Sequence, residues 1–288
     1  MDYALQLQNV TKSFKHSDFL LDHISFALPK GAIMGFVGEN GAGKTTTIGC
    51  IMNTLRIDSG SIQVLGQTLN GQNPLLSEQI GIVYDGDNFP SYLTANQLEH
   101  ILQGIYSAWD PSLFQKFLER FELNRTLKIS KYSKGMSMKL AIAVALSHHP
   151  KLLILDEATA GLDPVIRDEM LDLFLDFIED PEHSILLSSH ITSDLEKIAD
   201  YITFIHKGKI ILTETKDHLI YQYGILRCRQ KEFEQINTTD ILAYRKRDYQ
   251  IDVLVANRHT AEKNYKNLVI DPATIDEIML LLTKEERI

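Results

Sequence analysis

The chain has 288 residues, 44% of them apolar and 23% charged, the balance of a globular fold with a sizeable core. Its 38 acidic side chains outnumber the 29 basic ones, for a net charge of −9, which is the wrong sign for a general nucleic-acid binder because phosphate backbones are held by surplus Lys and Arg. Cys50 and Cys228 match no metal or disulfide spacing, no long apolar run exists, and Met1-Asp2-Tyr3 lacks the basic and apolar regions of a signal peptide, so the expected location is the cytoplasm.

Residues 5–10 and 24–28 read as an antiparallel flank. Four short apolar runs, 32–37, 80–83, 152–155 and 185–188, are bounded by turn signals and suit strands buried on both faces of a sheet. Residues 45–55 and 136–147 have helical composition and follow glycine-containing loops. Between 88 and 151 the sequence is helical, punctuated by Pro90 and Pro111, and reads as an insertion between two strands. Residues 202–205 and 209–212, joined across Lys207-Gly208, read as a hairpin. Beyond Thr215 the texture changes and the charge balances, with 12 basic and 12 acidic side chains in 216–288. There 249–255 alternates like a half-buried strand, and Asp271-Pro272 is expected to open a helix running to Leu282. The expected organisation is an α/β domain over 1–215, with a helical subdomain at about 88–151, and a small accessory α/β domain over 216–288.

The segment Gly38-Glu39-Asn40-Gly41-Ala42-Gly43-Lys44-Thr45 fits Gly-x-x-x-x-Gly-Lys-Ser/Thr between an expected strand and an expected helix. Glycines let backbone N–H groups converge on phosphates, and the helix N-terminus adds a favourable dipole. Lys44 adds a point charge, and the Thr45 hydroxyl can ligate Mg2+. Asp156 and Glu157, 112 and 113 residues beyond Lys44, end an apolar strand. There Asp156 is placed to hold Mg2+, and Glu157 to polarise an attacking water. His190 closes another strand, where an imidazole could sense a γ-phosphate.

With these residues in order, the chain resembles the nucleotide-binding subunit of ABC transporters over about residues 3–215. The resemblance implies a P-loop NTPase fold, with a RecA-like core, an antiparallel β flank and a helical subdomain, and it implies ATP and Mg2+ as ligands. Residue by residue, Gly38, Asn40, Gly41, Gly43, Lys44, Thr45 and Thr46 fall in the Walker A loop and Asp156 at the Walker B aspartate. Glu157 matches the catalytic glutamate, Asp163 the D-loop aspartate and His190 the switch histidine. Phe14 falls where the family stacks a ring on adenine, with simple core packing as the alternative. The segment Tyr132-Ser133-Lys134-Gly135-Met136 resembles the signature Leu-Ser-Gly-Gly-Gln, keeping Ser133 and Gly135, which would meet the nucleotide held by an opposite subunit.

Two departures stand out. Lys134 and Met136 replace consensus residues, and Asp85 stands where the family places a glutamine. Asp85 can ligate Mg2+ through oxygen but cannot donate a hydrogen bond while ionised. One cassette per chain implies a dimer, with itself or with a second ATP-binding subunit, working on integral membrane permease subunits through the helical insertion and residues 85–96. The chain would then lie on the inner face of the cell membrane. The signature and C-terminal segment resemble exporter cassettes with separate membrane subunits, similar to Gram-positive exporters of antimicrobial or cytolytic peptides. The competing class is a non-transport ABC-type ATPase acting in nucleic-acid processing or regulation. Against it stand the acidic balance and the lack of a heptad pattern between Lys44 and Asp156.

Overall fold

The computed structural model describes residues 2–69 and 73–283. Its strands form three sheets. The first is antiparallel, in the order β2-β1-β4-β5, from β1 (Tyr3–Phe14), β2 (Ser17–Pro29), β4 (Ser59–Val64) and β5 (Gln67–Thr68). β1 and β2 extend past the expected flank until the chain reverses at Lys15-His16.

The second sheet has the order β10-β9-β3-β8-β7-β6. It is built from β3 (Ile33–Val37), β6 (Ile80–Val83), β7 (Leu152–Asp156), β8 (Ser184–Ser189), β9 (Tyr201–His206) and β10 (Lys209–Thr215). Its first five members in chain order pair in parallel, and β10 turns back on β9 at one edge. Side chains alternate between two cores. Met34, Phe36, Leu152, Ile154 and Leu186 pack toward the antiparallel sheet and α1 (Lys44–Ile51). Ile33, Val37, Leu153, Leu155, Ile185 and Leu187 pack toward α5 (Lys134–Leu146), α6 (Pro164–Ile178) and α7 (Thr192–Ile198). Each such aliphatic side chain contributes about 1.5–3 kcal/mol by leaving water. α1 stops at Ile51 rather than running to 55, because Asn53 takes a left-handed φ of 55° and the Gly49 carbonyl accepts from both Thr54 and Leu55 N–H.

α2 (Pro74–Ser77) precedes β6, and the insertion after β6 carries α3 (Ala95–Leu102), α4 (Pro111–Arg120) and α5. Each of these three is capped by its own sequence. Thr94 forms a reciprocal capping box with Gln97, Asp110 accepts from Leu113 N–H ahead of Pro111, and Ser133 accepts from Met136 N–H. The Ser133 cap starts α5 two residues before the expected position. Trp109, the only tryptophan of the sequence, sits between α3 and α4 with its ring 5.2 Å from Phe114 and 6.4 Å from Tyr106.

The third sheet, β12-β13-β11-β14, is antiparallel. Its strands are β11 (Gly224–Cys228), β12 (Ala243–Lys246), β13 (Ile251–Val255) and β14 (Val269–Pro272), interleaved with α8 (Lys216–Gln222), α9 (Gln230–Phe233), α10 (Arg258–Asn264) and α11 (Ile275–Thr283). β13 begins at Ile251, two residues after the expected start, and Tyr249 lies exposed in the preceding turn. Asp271 and Pro272 do not open a helix. They end β14, an edge strand in which a missing proline N–H breaks no ladder, and pair with Ile225 and Gly224. α11 starts at Ile275 instead, where Thr274 and Glu277 hydrogen-bond reciprocally. One face of this sheet has its own core around Leu226 and Val253. From the other face, Ile225 and Leu254 join Ile275 and Ile278 in the apolar cluster that runs beneath α5, α6 and α7.

Candidate functional site

The carboxyl ends of β3, β8, β7 and β6 lie side by side, on the side of an open α/β sheet where ligands bind. β3 runs into Gly38, where an added Cβ would stand 2.4 Å from the Ile205 carbonyl oxygen. The loop continues through Gly41 and then Gly43, whose φ of 117° no other residue adopts without strain. Gly43 precedes α1 without a side-chain cap, so the first-turn N–H groups are left to a ligand. The cavity here measures 500 Å³, within the range of ligand pockets, and is bounded by Glu39, Asn40, Gly41, Gly43, Lys44, Thr45 and Thr46 together with Phe19, Asp85 and Glu157.

Lys44 is 94% buried, and its ammonium donates to the Gly38 carbonyl at 2.7 Å. It also stands 3.1 Å from Glu157 Oε1. That contact is an ion pair without hydrogen-bond geometry, so Oε1 remains a buried acceptor with no donor. Asp156 is buried with both oxygens held by hydroxyls, Oδ2 by Thr45 at 2.9 Å and Oδ1 by Ser188 at 2.6 Å. Its charge, after burial itself, pushes the neighbouring Tyr84 phenol up from its usual pKa. Glu157 adopts a left-handed φ of 52°, a conformation costing about 1–3 kcal/mol in a residue of this kind. The turn aims its Oε2 at His190 Nδ1, 2.7 Å away, while its own N–H donates to the Ser188 carbonyl at 3.0 Å.

The remaining sequence candidates lie off this cluster. Asp85 sits on the rim of the cavity, in a loop that Asn88 closes by accepting from Tyr84 N–H and donating to the Tyr84 carbonyl, both at 2.9 Å. Ser133 and Gly135 open α5 and do not line the cavity of their own chain. Asp163 caps α6, its Oδ1 accepting from Val165 and Ile166 N–H at 3.1 Å. Phe14 is half-buried, with the Lys12 ammonium 5.3 Å from its ring centre, and it too does not line the cavity; the nearby Phe19 does. Phe19 and Ser188 were not singled out in the sequence. Phe19 carries no motif, and Ser188 is brought to Asp156 by the parallel register of β7 and β8, which pairs the two residues.

The donors at the end of β7 are oxygens only, a carboxylate and a hydroxyl, as Mg2+ prefers, and the glycine loop with its uncapped helix suits a polyphosphate. A profile described as ABC transporter matches residues 21–160. The bacitracin transport ATP-binding protein BcrA of Bacillus licheniformis is 34% identical over 221 residues, spanning 76% of this chain and 72% of that protein. The chain belongs to the ABC transporter family. The lantibiotic transport ATP-binding protein SrtF of Streptococcus pyogenes is 32% identical, spanning 74% of this chain and 91% of its own. Among solved structures, the dimeric post-hydrolysis state of the cassette MJ0796 with ADP and Pi shares the fold at a TM-score of 0.66 and 21% identity, over 74% of this chain and 98% of that one. As an ABC cassette the chain is an ATP-binding and hydrolysing transport subunit.

Proposed function

We propose that this cassette is the motor of an exporter whose translocation path belongs to separate permease subunits. The observation that carries the reading is the Glu157 carboxylate, held between Lys44 and His190 beside the paired Asp156 and Thr45. Thr45 and Asp156 would hold Mg2+, which when bound neutralises charge on the phosphate oxygens. Backbone N–H groups of residues 38–46 cradle the phosphates, and Lys44 exchanges its contact with Glu157 for them. Glu157 takes the proton of the water that attacks the γ-phosphorus as the bond to the β-bridging oxygen breaks. His190 spends one ring nitrogen on Glu157 and keeps the other for a phosphate oxygen.

Ser133 and Gly135 face the nucleotide of a second subunit, identical or paralogous, and two bound ATP molecules close the dimer. The exposed Ser133 and part-exposed Gly135 at the start of α5, away from the cavity of their own chain, support this. Hydrolysis reopens the dimer, and the helical insertion with residues 85–96 passes the movement to a permease at the inner face of the membrane. No described helix is long and apolar enough to cross a membrane itself. The relatives named for bacitracin and lantibiotic transport support an amphipathic or antimicrobial peptide as cargo. Residues 216–288 are read as an accessory domain that braces the cassette. The Ile275 N–H bond to Glu196 of α7 at 3.1 Å supports that role.

Glu157→Gln tests the core of the reading. Turnover is expected to fall by about 10²–10⁴-fold with ATP binding retained. Wild-type steady-state ATPase activity would remove Glu157 from its role. Capture of that variant with ATP and Mg2+ from gently solubilised membranes is expected to recover a multi-helix permease near one-to-one. Recovery of soluble partners alone would refute the transport reading.

A further inference from the structure

Lys134 and Asp85 are 49 residues apart and each departs from the family pattern, yet the Lys134 ammonium lies 3.5 Å from Asp85 Oδ1. Lys134 is the first residue of α5, where a cation opposes the helix dipole, so the position calls for an anion close by. The side chain does not simply extend into water. It passes over Gly161, in the loop beyond Glu157, where an added Cβ would lie 3.2 Å from Nζ and 3.7 Å from Cδ and Cε. One side chain therefore touches three segments: the start of α5, the loop after Glu157 and the rim of the nucleotide cavity. Ser133 caps the same helix end, and Asp85 belongs to the cavity wall.

We propose that Lys134 and Asp85 form a positioning pair that fixes the start of α5, and with it Ser133 and Gly135, against the nucleotide cavity of the same subunit. The pair thereby sets how readily Ser133 and Gly135 meet the nucleotide of the opposite subunit, a role that rests on the dimer arrangement proposed above. Neither side chain reacts. Lys134 acts through the helix it begins, and Asp85 supplies the anion that holds it.

The test is a double-mutant cycle in the full-length Glu157→Gln protein, with ATP-driven dimer assembly followed by light scattering. Lys134→Met keeps the alkyl chain and Asp85→Asn keeps an oxygen. For an exposed pair, Lys134→Met is expected to raise the ATP concentration for half-assembly by about three- to fivefold. In the Asp85→Asn background the same change is expected to shift it by less than about twofold. Lys134→Arg restores the parent value, and the melting temperature of the monomer does not move. Equal shifts in both backgrounds, or no shift in either, overturn the proposal. Ser133→Glu is the control. If it leaves assembly unchanged, the dimer arrangement itself falls. If it blocks assembly while the cycle is additive, only the pair is wrong.

Discussion

Replacing Ser188 with alanine removes one of the two hydroxyls that hold the Asp156 carboxylate. The hydroxyl donates at 2.6 Å to a carboxylate that is almost fully buried, and among the described residues no other side chain donates to Oδ1. A buried acceptor that loses its donor costs about 1–3 kcal/mol, with charged acceptors at the upper end. The alanine itself fits, since it only deletes an atom from a strand position packed on both sides. The expected loss is therefore about 2 kcal/mol, or about 4–8 °C in melting temperature for a chain of this class. The assay is a thermal melt in EDTA without nucleotide, with Ser188→Ala measured in both the parent and Asp156→Asn. In Asp156→Asn the amide can be turned to present its neutral oxygen or its NH2 group, so the further cost of Ser188→Ala is expected to shrink to below about 1 kcal/mol. A parent loss within about 0.5 kcal/mol of zero, as for an ordinary surface change, would refute the view that Ser188 holds Asp156.

Arg167→Met should be more damaging. Its guanidinium lies 2.7 Å from Asp194, which is fully buried, and removing it strands a charge at a cost of about 3–5 kcal/mol, read as a urea midpoint shift. His148 predicts an acid dependence. Burial holds its pKa below 6.5 while its Nδ1 bonds the Glu78 carbonyl, so the unfolded chain binds the extra proton first. Stability from this group is complete above about pH 6.5 and is lost as pH falls through the lower folded value, with a slope of at most about 1.4 kcal/mol per pH unit. In melts from pH 7.5 to 5, His148→Gln should flatten that decline; an unchanged slope would show that other groups cause it.

The strands that carry the site were readable because each is a short apolar run ending in a chemical group, as in Leu152-Leu153-Ile154-Leu155-Asp156. The glycine loop was readable for the same local reason. What escaped is tertiary. Ser188 and Asp156 meet through strand register, and Lys134 and Asp85 through the folding of the insertion back on the sheet. Asp271-Pro272 misled because Asp before Pro serves a helix start and an edge-strand end equally well. The deciding signal lay three residues on, in the Thr274 and Glu277 pair. The end of α1 was set by a left-handed Asn53, which composition does not announce.

The single tryptophan gives the chain an optical handle. Trp109 lies in the insertion, stacked on Tyr106 and tilted against Phe114, and its indole nitrogen has no hydrogen-bond partner among the described residues. With excitation at the red edge of the protein band, emission from the unlabelled chain comes from the insertion alone. Shifts in its wavelength or its quenching by iodide would follow that element through a turnover cycle, with the sheets, the nucleotide loop and the C-terminal residues spectroscopically silent.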